Sequence, residues 1–427
     1  MKKLLIKILR GTLRFLVRGT LSRYKPAIIG ITGSVGKTSA KLGVKAALGR
    51  DRRVRASSGN LNNELGMSLT ILGDWSAEEL KLVSREQPAG TEKTKKFFFW
   101  LKVVIVSAWH LVIRSKTYPE ILVLEYGADR PGDIKYLVTM ARPMIGIITA
   151  IGEMPVHVEY YAGPEDVARE KARLIESLPS AGFAILNGDD NTVLNLRERT
   201  RARVLTFGFS KEADVHVAHL VNRTEGDRPL GISFKLEYGG AYVPVRLDDV
   251  FGKAHVYAAA VGAAVGLVFG MNLSKISDAL ADYAPAESRM HLLPGIKQTF
   301  IIDDAYNASP LSTHAALDTL RHLPGKRKIA VLGDMLEIGK YTIEAHENVG
   351  DLAAQSVDAL FTVGPRAKFI ASAAIESGLK KSNIFSFDTA DDARIPLQNF
   401  LEKGDLVLVK GSHAMQLDKI VEEIRNW

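Results

Sequence analysis

The chain has 427 residues, which at roughly 100–200 residues per domain leaves room for two to four domains. Apolar residues make up 46% of it and charged residues 24%, excluding wholesale disorder, and the absence of cysteine excludes disulfides, thiolate zinc sites, iron–sulfur clusters and a cysteine nucleophile. The net charge of +8 is confined to one end: residues 1–25 carry eight basic side chains and no acid, and the rest holds 48 of each sign, so no nucleic-acid partner is expected.

Within that end, Lys3, Lys7, Arg10, Arg14 and Arg18 recur every three or four residues, which places them on one stripe of a predicted helix. Leu5, Ile8, Leu9, Leu13, Phe15 and Leu16 fill the broad opposite side. Charges interrupt the stretch throughout and no small-residue cleavage site follows, so it is not a signal peptide. A basic amphipathic helix suits an anionic membrane surface; the alternative is a helix docked on the protein's own body. A second apolar run, 97–113 (FFFWLKVVIVSAWHLVI), is at the short limit for a membrane span and is interrupted by Lys102 and His110. A single span would separate motifs that must share one site, which leaves a monotopic patch, a re-entrant loop or a buried helix.

After Pro26, short β-rich runs alternate with helical stretches. Ile28–Thr32, Ile121–Leu124, Ile145–Thr149, Phe183–Leu186 and Val204–Phe207 read as strands of a parallel sheet covered on both faces. Residues 214–247 alternate around Gly239-Gly240, the pattern of an antiparallel hairpin. Beyond Tyr283-Ala284-Pro285, read as a hinge, a second α/β unit begins, with strands near 300–302, 329–332, 360–363, 384–387 and 406–409. The expected fold is α/β: a central P-loop-type, mostly parallel sheet domain over 27–284, with an apolar insertion about 90–118, and a Rossmann-like C-terminal domain over 285–427, preceded by the basic segment 1–26.

The run IIGITGSVGKTS (Ile28–Ser39) is a strand, a glycine-rich turn and a helix beginning near Lys37. Backbone N–H groups of Gly33, Ser34 and Gly36 and the helix N-terminus would cradle phosphates, Lys37 would reach the β- and γ-phosphates, and Thr38, with Ser39 behind it, would meet magnesium. A nucleoside triphosphate is therefore the expected ligand. Glu125 ends an apolar strand, where the ligand site of an open α/β sheet is expected and where a carboxylate suits magnesium.

The variant loop spacing TGSxGKTS (Thr32–Ser39) resembles the Mur ligase family of ATP-dependent amide-forming enzymes, and Gly59-Asn60-Leu61-Asn62-Asn63-Glu64-Leu65-Gly66 resembles the signature of its MurF branch, which joins D-Ala-D-Ala to a UDP-linked muramoyl tripeptide. Further matches follow in order at Glu125-Tyr126-Gly127-Ala128, His157-Val158-Glu159, Lys171, Arg289-Met290, Asp303–Pro310, Gly333–Gly339 and Lys410-Gly411-Ser412. The resemblance implies a ligase acting through an acyl phosphate, with two magnesium ions held by Thr38, Glu125, His157 and a carbamoylated Lys171. It implies that Asn62 and Asn63 serve the phosphate and acceptor region, that domain closure brings Arg289 onto the phosphates, and that Asp304, Tyr306 and Asn307 approach ribose and base. Lys410 is expected near the acceptor. Only 26 residues precede the loop strand, so the family's UDP-sugar-binding N-terminal domain is expected to be lacking. The expected partners are peptide precursors of the cell wall and an anionic membrane surface met by 1–25 and 97–113, in a cytoplasmic or peripheral inner-face location. Three other readings stay open: a folylpolyglutamate- or cyanophycin-type ligase, a ligase for lipid-linked precursors, and an ATP-binding membrane scaffold.

Overall fold

The computed structural model describes residues 2–59, 61–83 and 93–426, with side chains from Ile6 onward. Asn60 of the asparagine block and residues 84–92, where the apolar insertion was expected to start, lie outside the described residues. The basic segment is one helix, α1 (Lys2–Tyr24). It is followed by β1 (Ala27–Thr32), α2 (Lys37–Gly49), β2 (Val54–Ala56), α3 (Glu64–Leu72), α4 (Ala77–Lys81), α5 (Lys93–Val112), β3 (Ile121–Glu125), α6 (Asp133–Met140), β4 (Ile145–Ile148) and α7 (Pro164–Glu176). Five further strands, β5 (Phe183–Asn187), β6 (Arg203–Gly208), β7 (Val215–Glu225), β8 (Arg228–Tyr238) and β9 (Ala241–Asp248), complete one nine-stranded sheet in the order β2-β3-β1-β4-β5-β6-β7-β8-β9.

β1, β3, β4 and β5 are almost wholly apolar and buried along their length, as strands covered on both faces must be. All pairings from β2 to β7 are parallel, and β8 and β9 then turn antiparallel. The predicted hairpin is present: Tyr238 pairs with Ala241 across Gly239 (φ 58°) and Gly240 (φ 82°), two left-handed residues whose twist matches the flanking strands. β1 lies between β3 and β4, so the chain reverses its direction of travel there. In open α/β sheets that switch point is where loops part and ligands enter.

The C-terminal sheet holds β10 (His291–Gly295), β11 (Thr299–Asp304), β12 (Lys328–Gly333), β13 (Ala359–Val363), β14 (Ile384–Phe387) and β15 (Leu406–Lys410) in the order β10-β11-β15-β12-β13-β14, with only β10 antiparallel. β2 and β10 were not legible as strands. β2 is three half-buried residues, VRA, and β10 carries Pro294, which a sheet tolerates because β10 is an edge.

α1 is docked on the central sheet's flank. Leu13, Leu16, Val17 and Thr20 are buried, and the three apolar ones join a cluster with Met67, Phe99, Val103 and Leu122. The broad apolar side expected from the sequence is thus divided, since Ile8 and Phe15 stay exposed. Among the described residues no helix is long and apolar enough to cross a membrane.

Candidate active site

β1 ends at Thr32 and turns through Gly33 (φ 149°) and Gly36 (φ 87°) into α2. The turn is clasped by the end of β4: Ser34 N donates to Ala150 O at 2.6 Å and Thr149 Oγ1 to Val35 O at 2.6 Å. A Cβ on Gly33 would lie 2.0 Å from that Thr149 oxygen, so the position admits only glycine. The Ser34 hydroxyl is buried with no hydrogen-bond partner among the described residues. An orphaned donor beside a helix N-terminus is what an incoming phosphate oxygen would satisfy.

Lys37 Nζ folds back onto the turn, donating to Gly33 O at 2.7 Å. Burial lowers its pKa, Glu125 opposes the shift and Arg289 adds to it. Lys171, buried on α7, donates to the same carbonyl at 3.2 Å. Burial, and then the Lys37 charge, bring its pKa down to about 7. Two lysines from two helices therefore share one backbone oxygen.

Glu125, at the end of β3, is buried and meets Lys41 Nζ at 2.6 Å; Lys41 also donates to Gly59 O at 2.7 Å. Sequence reasoning assigned Lys41 no role, although it stands one helical turn beyond Lys37 on α2. His157 (φ 69°) places Nε2 3.7 Å from Asp129 Oδ1 and Nδ1 2.8 Å from Glu337 Oε2. Asp129 was also missed; its signal was an acid just past the strand end that carries Glu125. Asn63 caps α3, its Oδ1 accepting from Gly66 N at 3.0 Å, and Asn62 O accepts from Gly127 N at 2.9 Å.

Arg289 is fixed from both domains. Its carbonyl faces His255 Nε2 at 2.8 Å, and Phe251 N donates to Met290 O at 3.2 Å, both from the central domain. Burial drops His255 to about 4, so the ring is neutral; its Nε2 carries the proton toward that carbonyl, and Tyr283 OH donates to Nδ1 at 2.8 Å. From the C-terminal side, Met290 N donates to Asp304 Oδ1 at 3.2 Å and Ser288 Oγ to Asp303 Oδ2 at 2.8 Å. The guanidinium lies 4.1 Å from the Tyr306 ring centroid, and Tyr306 in turn packs on His413 at 5.6 Å.

Ser34, Gly36, Lys37, Thr38, Asn62, Asn63, Glu125, Asp129, His157, Arg289, Tyr306 and Asn307 surround one cavity of about 400 Å³. Gly33 and Lys171 stand behind the loop. Ser39 is buried and shares a hydrogen bond with Tyr283. Asp304 is not in the lining either: Lys410 Nζ reaches its Oδ2 at 2.6 Å, and both side chains are buried. A second cavity, about 880 Å³, adjoins the first through Asn62, Asn63 and Asp129, and its far wall is Lys7, Arg10 and Arg14 of α1. Arg10 and Arg14 lie 3.4 and 3.6 Å from the Glu64 carboxylate. Among the described residues no three His, Cys, Asp or Glu side chains converge as a metal cage. The Glu125 and Asp129 carboxylates and the Thr38 hydroxyl are oxygen donors of the kind magnesium uses when phosphates and waters fill the rest of its shell.

Two family models match the chain: the Mur ligase middle domain over residues 110–266 and the Mur ligase, glutamate ligase domain over 288–413. The UDP-N-acetylmuramoyl-tripeptide–D-alanyl-D-alanine ligase of Mycobacterium tuberculosis is 31% identical over 418 residues, 93% of this chain and 72% of that protein. The Bacillus subtilis protein of the same name is 28% identical over 414 residues, 96% of this chain and 79% of that protein. Among solved structures, MurF ligase from Thermotoga maritima in complex with ADP superposes with a TM-score of 0.77 at 25% identity, covering 97% of this chain and 83% of that one. Folylpolyglutamate synthase from M. tuberculosis, at 17% identity and TM-score 0.65 over 97% of this chain and 96% of its own, shares the fold. With the phosphate loop and the residues it gathers, these likenesses settle the family: the chain belongs to the Mur ligases, ATP-dependent enzymes that form amide bonds.

Proposed function

We propose that this ligase joins D-Ala-D-Ala to a carboxylate of a cell-wall precursor peptide in the cytoplasm. The γ-phosphoryl of ATP passes to the carboxylate oxygen, releasing ADP. The amine then attacks the acyl carbon, inorganic phosphate leaves with the C–O bond electrons, and the nitrogen loses a proton. One observation carries the reading: the cavity faced by Lys37 and Arg289 shares Asn62, Asn63 and Asp129 with a larger one, so a carboxylate held in the second would lie beside phosphates held in the first. Lys37 and Arg289 supply fixed positive charge to the transferring phosphoryl. The α1-lined cavity mixes Lys7, Arg10 and Arg14 with Glu64, Asp129 and Asp133, a pattern suited to a peptide bearing both carboxylate and ammonium groups.

Thr38, Glu125 and Asp129, with His157 beside Asp129, are the residues that would hold magnesium, which when bound neutralises phosphate charge. A Lys171 amine with a pKa of about 7 is partly neutral under physiological conditions, and the neutral amine is the form that adds to CO₂. Its carbamate would turn a buried cation into an anionic oxygen donor beside Lys37. The D-Ala-D-Ala reading is favoured over a folylpolyglutamate-type one because the relatives at 28–31% identity carry the former name, while the latter likeness rests on 17% identity. The test is phosphate release from ATP with a muramoyl peptide, UDP-linked or lipid-linked, and D-Ala-D-Ala. Release should require both co-substrates; release that ignores them would overturn the proposal.

A further inference from the structure

α1 and α5 lie side by side with their C-terminal ends joined, Arg23 donating to Val112 O at 3.2 Å and Tyr24 OH to His110 O at 3.1 Å. α5 buries Phe99, Val103 and Ser107, four residues apart, against the body. On its opposite side Phe98, Leu101, Ile105, Trp109 and Val112 follow one another at three- and four-residue intervals and are 60, 43, 58, 59 and 76% exposed. On α1, Ile8 and Phe15 are 55 and 72% exposed. Scattered exposed apolar residues are ordinary, whereas an unbroken row along one helix face marks a contact surface.

The charge around the row selects its occupant. Residues 2–25 and 93–116 together carry fourteen Lys and Arg and no Asp or Glu, and ten of these remain when Lys7, Arg10 and Arg14 of the cavity wall and Lys102, paired with Glu79 at 2.6 Å, are set aside. A second copy of the same surface would set like charges against each other. An anionic bilayer satisfies both features at once, acyl chains taking the apolar row and headgroups taking the cations, with Trp109 at the boundary. No described helix is long and apolar enough to cross, so attachment is in the membrane plane.

We propose that the α1–α5 pair seats this protein on an anionic bilayer, with the Phe98–Val112 row in the acyl boundary. The proposal stands on this surface and not on the ligase reading. Its consequence for that reading is spatial: the same α1 walls the larger cavity, so the seated chain holds that cavity beside the lipid surface, within reach of a lipid-borne peptide.

The test uses the whole chain and vesicles of phosphatidylglycerol with phosphatidylcholine, against phosphatidylcholine alone. Binding should need phosphatidylglycerol and fall as ionic strength rises from about 0.1 M to about 1 M, where the Debye length shrinks from ~10 Å to ~3 Å. Phe98→Ser with Ile105→Ser should cut the bound fraction roughly tenfold while leaving the thermal melt unchanged, since both side chains lie outside the core. Should that pair fold poorly, brominated acyl chains give a separate readout: they should quench tryptophan fluorescence, and Trp109→Phe should remove the larger part of the quenching. A chain that ignores phosphatidylglycerol vesicles at low salt, or one whose row instead closes a dimer that the Phe98/Ile105 pair dissolves, overturns the proposal.

Discussion

His157, in the loop after β4, meets Glu337 of the C-terminal domain through Nδ1 and Oε2 at 2.8 Å, and both residues hold left-handed backbones (φ 69° and 62°) to do so. This contact ties the two sheets together at the rim of the phosphate cavity. A partly exposed pair of this kind contributes about 0.2–1 kcal/mol. Glu337→Ala should therefore lower kcat up to ~5-fold with little change in KM for ATP, read from steady-state phosphate release. An unchanged kcat would mean the contact does not serve domain approach.

Lys37→Ala should abolish ligation. Removing a fixed charge from a developing phosphoryl typically costs ~10²–10³-fold. The measurement is single-turnover phosphate release; near-normal rates would refute the phosphate-loop assignment.

Lys171 predicts a pH signature in stability. Its pKa is about 7 in the folded chain against 10.5 for ordinary lysine. Between those values the unfolded chain binds the extra proton, so this group's contribution to stability rises with pH across the window, and its penalty is fully present below it. Lys171→Met should thus gain most over the parent at about pH 6 and progressively less toward about pH 9, in thermal melts in CO₂-free buffer. A gain that does not shrink with pH would contradict the shift. In assays, Lys171→Ala should lose activity; a fully active variant would show that no carbamate is needed, and short-chain carboxylates should restore part of the loss.

Arg10→Ala with Arg14→Ala should raise KM for the peptide acceptor ~10-fold or more, the effect of losing charge-assisted hydrogen bonds of about 1.5–3 kcal/mol, and leave KM for ATP alone. Equal effects on both constants would separate α1 from the acceptor cavity.

Asp304 and Lys410 form a buried pair in which burial pushes both groups toward their neutral forms. Removing one partner of such a pair costs about 3–5 kcal/mol. Asp304→Ala should lower Tm markedly, and adding Lys410→Met should recover much of the loss; no recovery would place the defect elsewhere.

The strands with continuous apolar runs were legible, because a strand buried on both faces must be apolar throughout. So was the phosphate loop, because its glycines answer a local backbone demand. Lys41, Asp129 and Glu337 were not, since each takes its meaning from a partner distant in the chain: Lys41 from Glu125, and the other two from His157. α1 showed the same limit from another side. Its periodicity revealed two faces, but the helix has three neighbours, and only packing shows that Leu13, Leu16 and Val17 belong to the body, Arg10 and Arg14 to a cavity, and Ile8 and Phe15 to neither. Asp304, which the motif resemblance places near ribose, is enclosed with Lys410, a pairing that no local spacing announces.

The double anchoring of Arg289 changes how its part in the reaction is timed. Held by His255 and, through Met290, by Phe251 and Asp304, it stands at the joint between the sheets, and a group near an axis of rotation moves least. The anchors hold the backbone at this joint, while the guanidinium itself rests on Tyr306 of the C-terminal domain, which packs on His413. Arg289 already lines the phosphate cavity with its backbone held from both sides, so the affinity for nucleotide should survive loss of the His157–Glu337 contact. That loss separates the affinity for nucleotide, read as KM for ATP, from the commitment to transfer its phosphoryl, read as kcat.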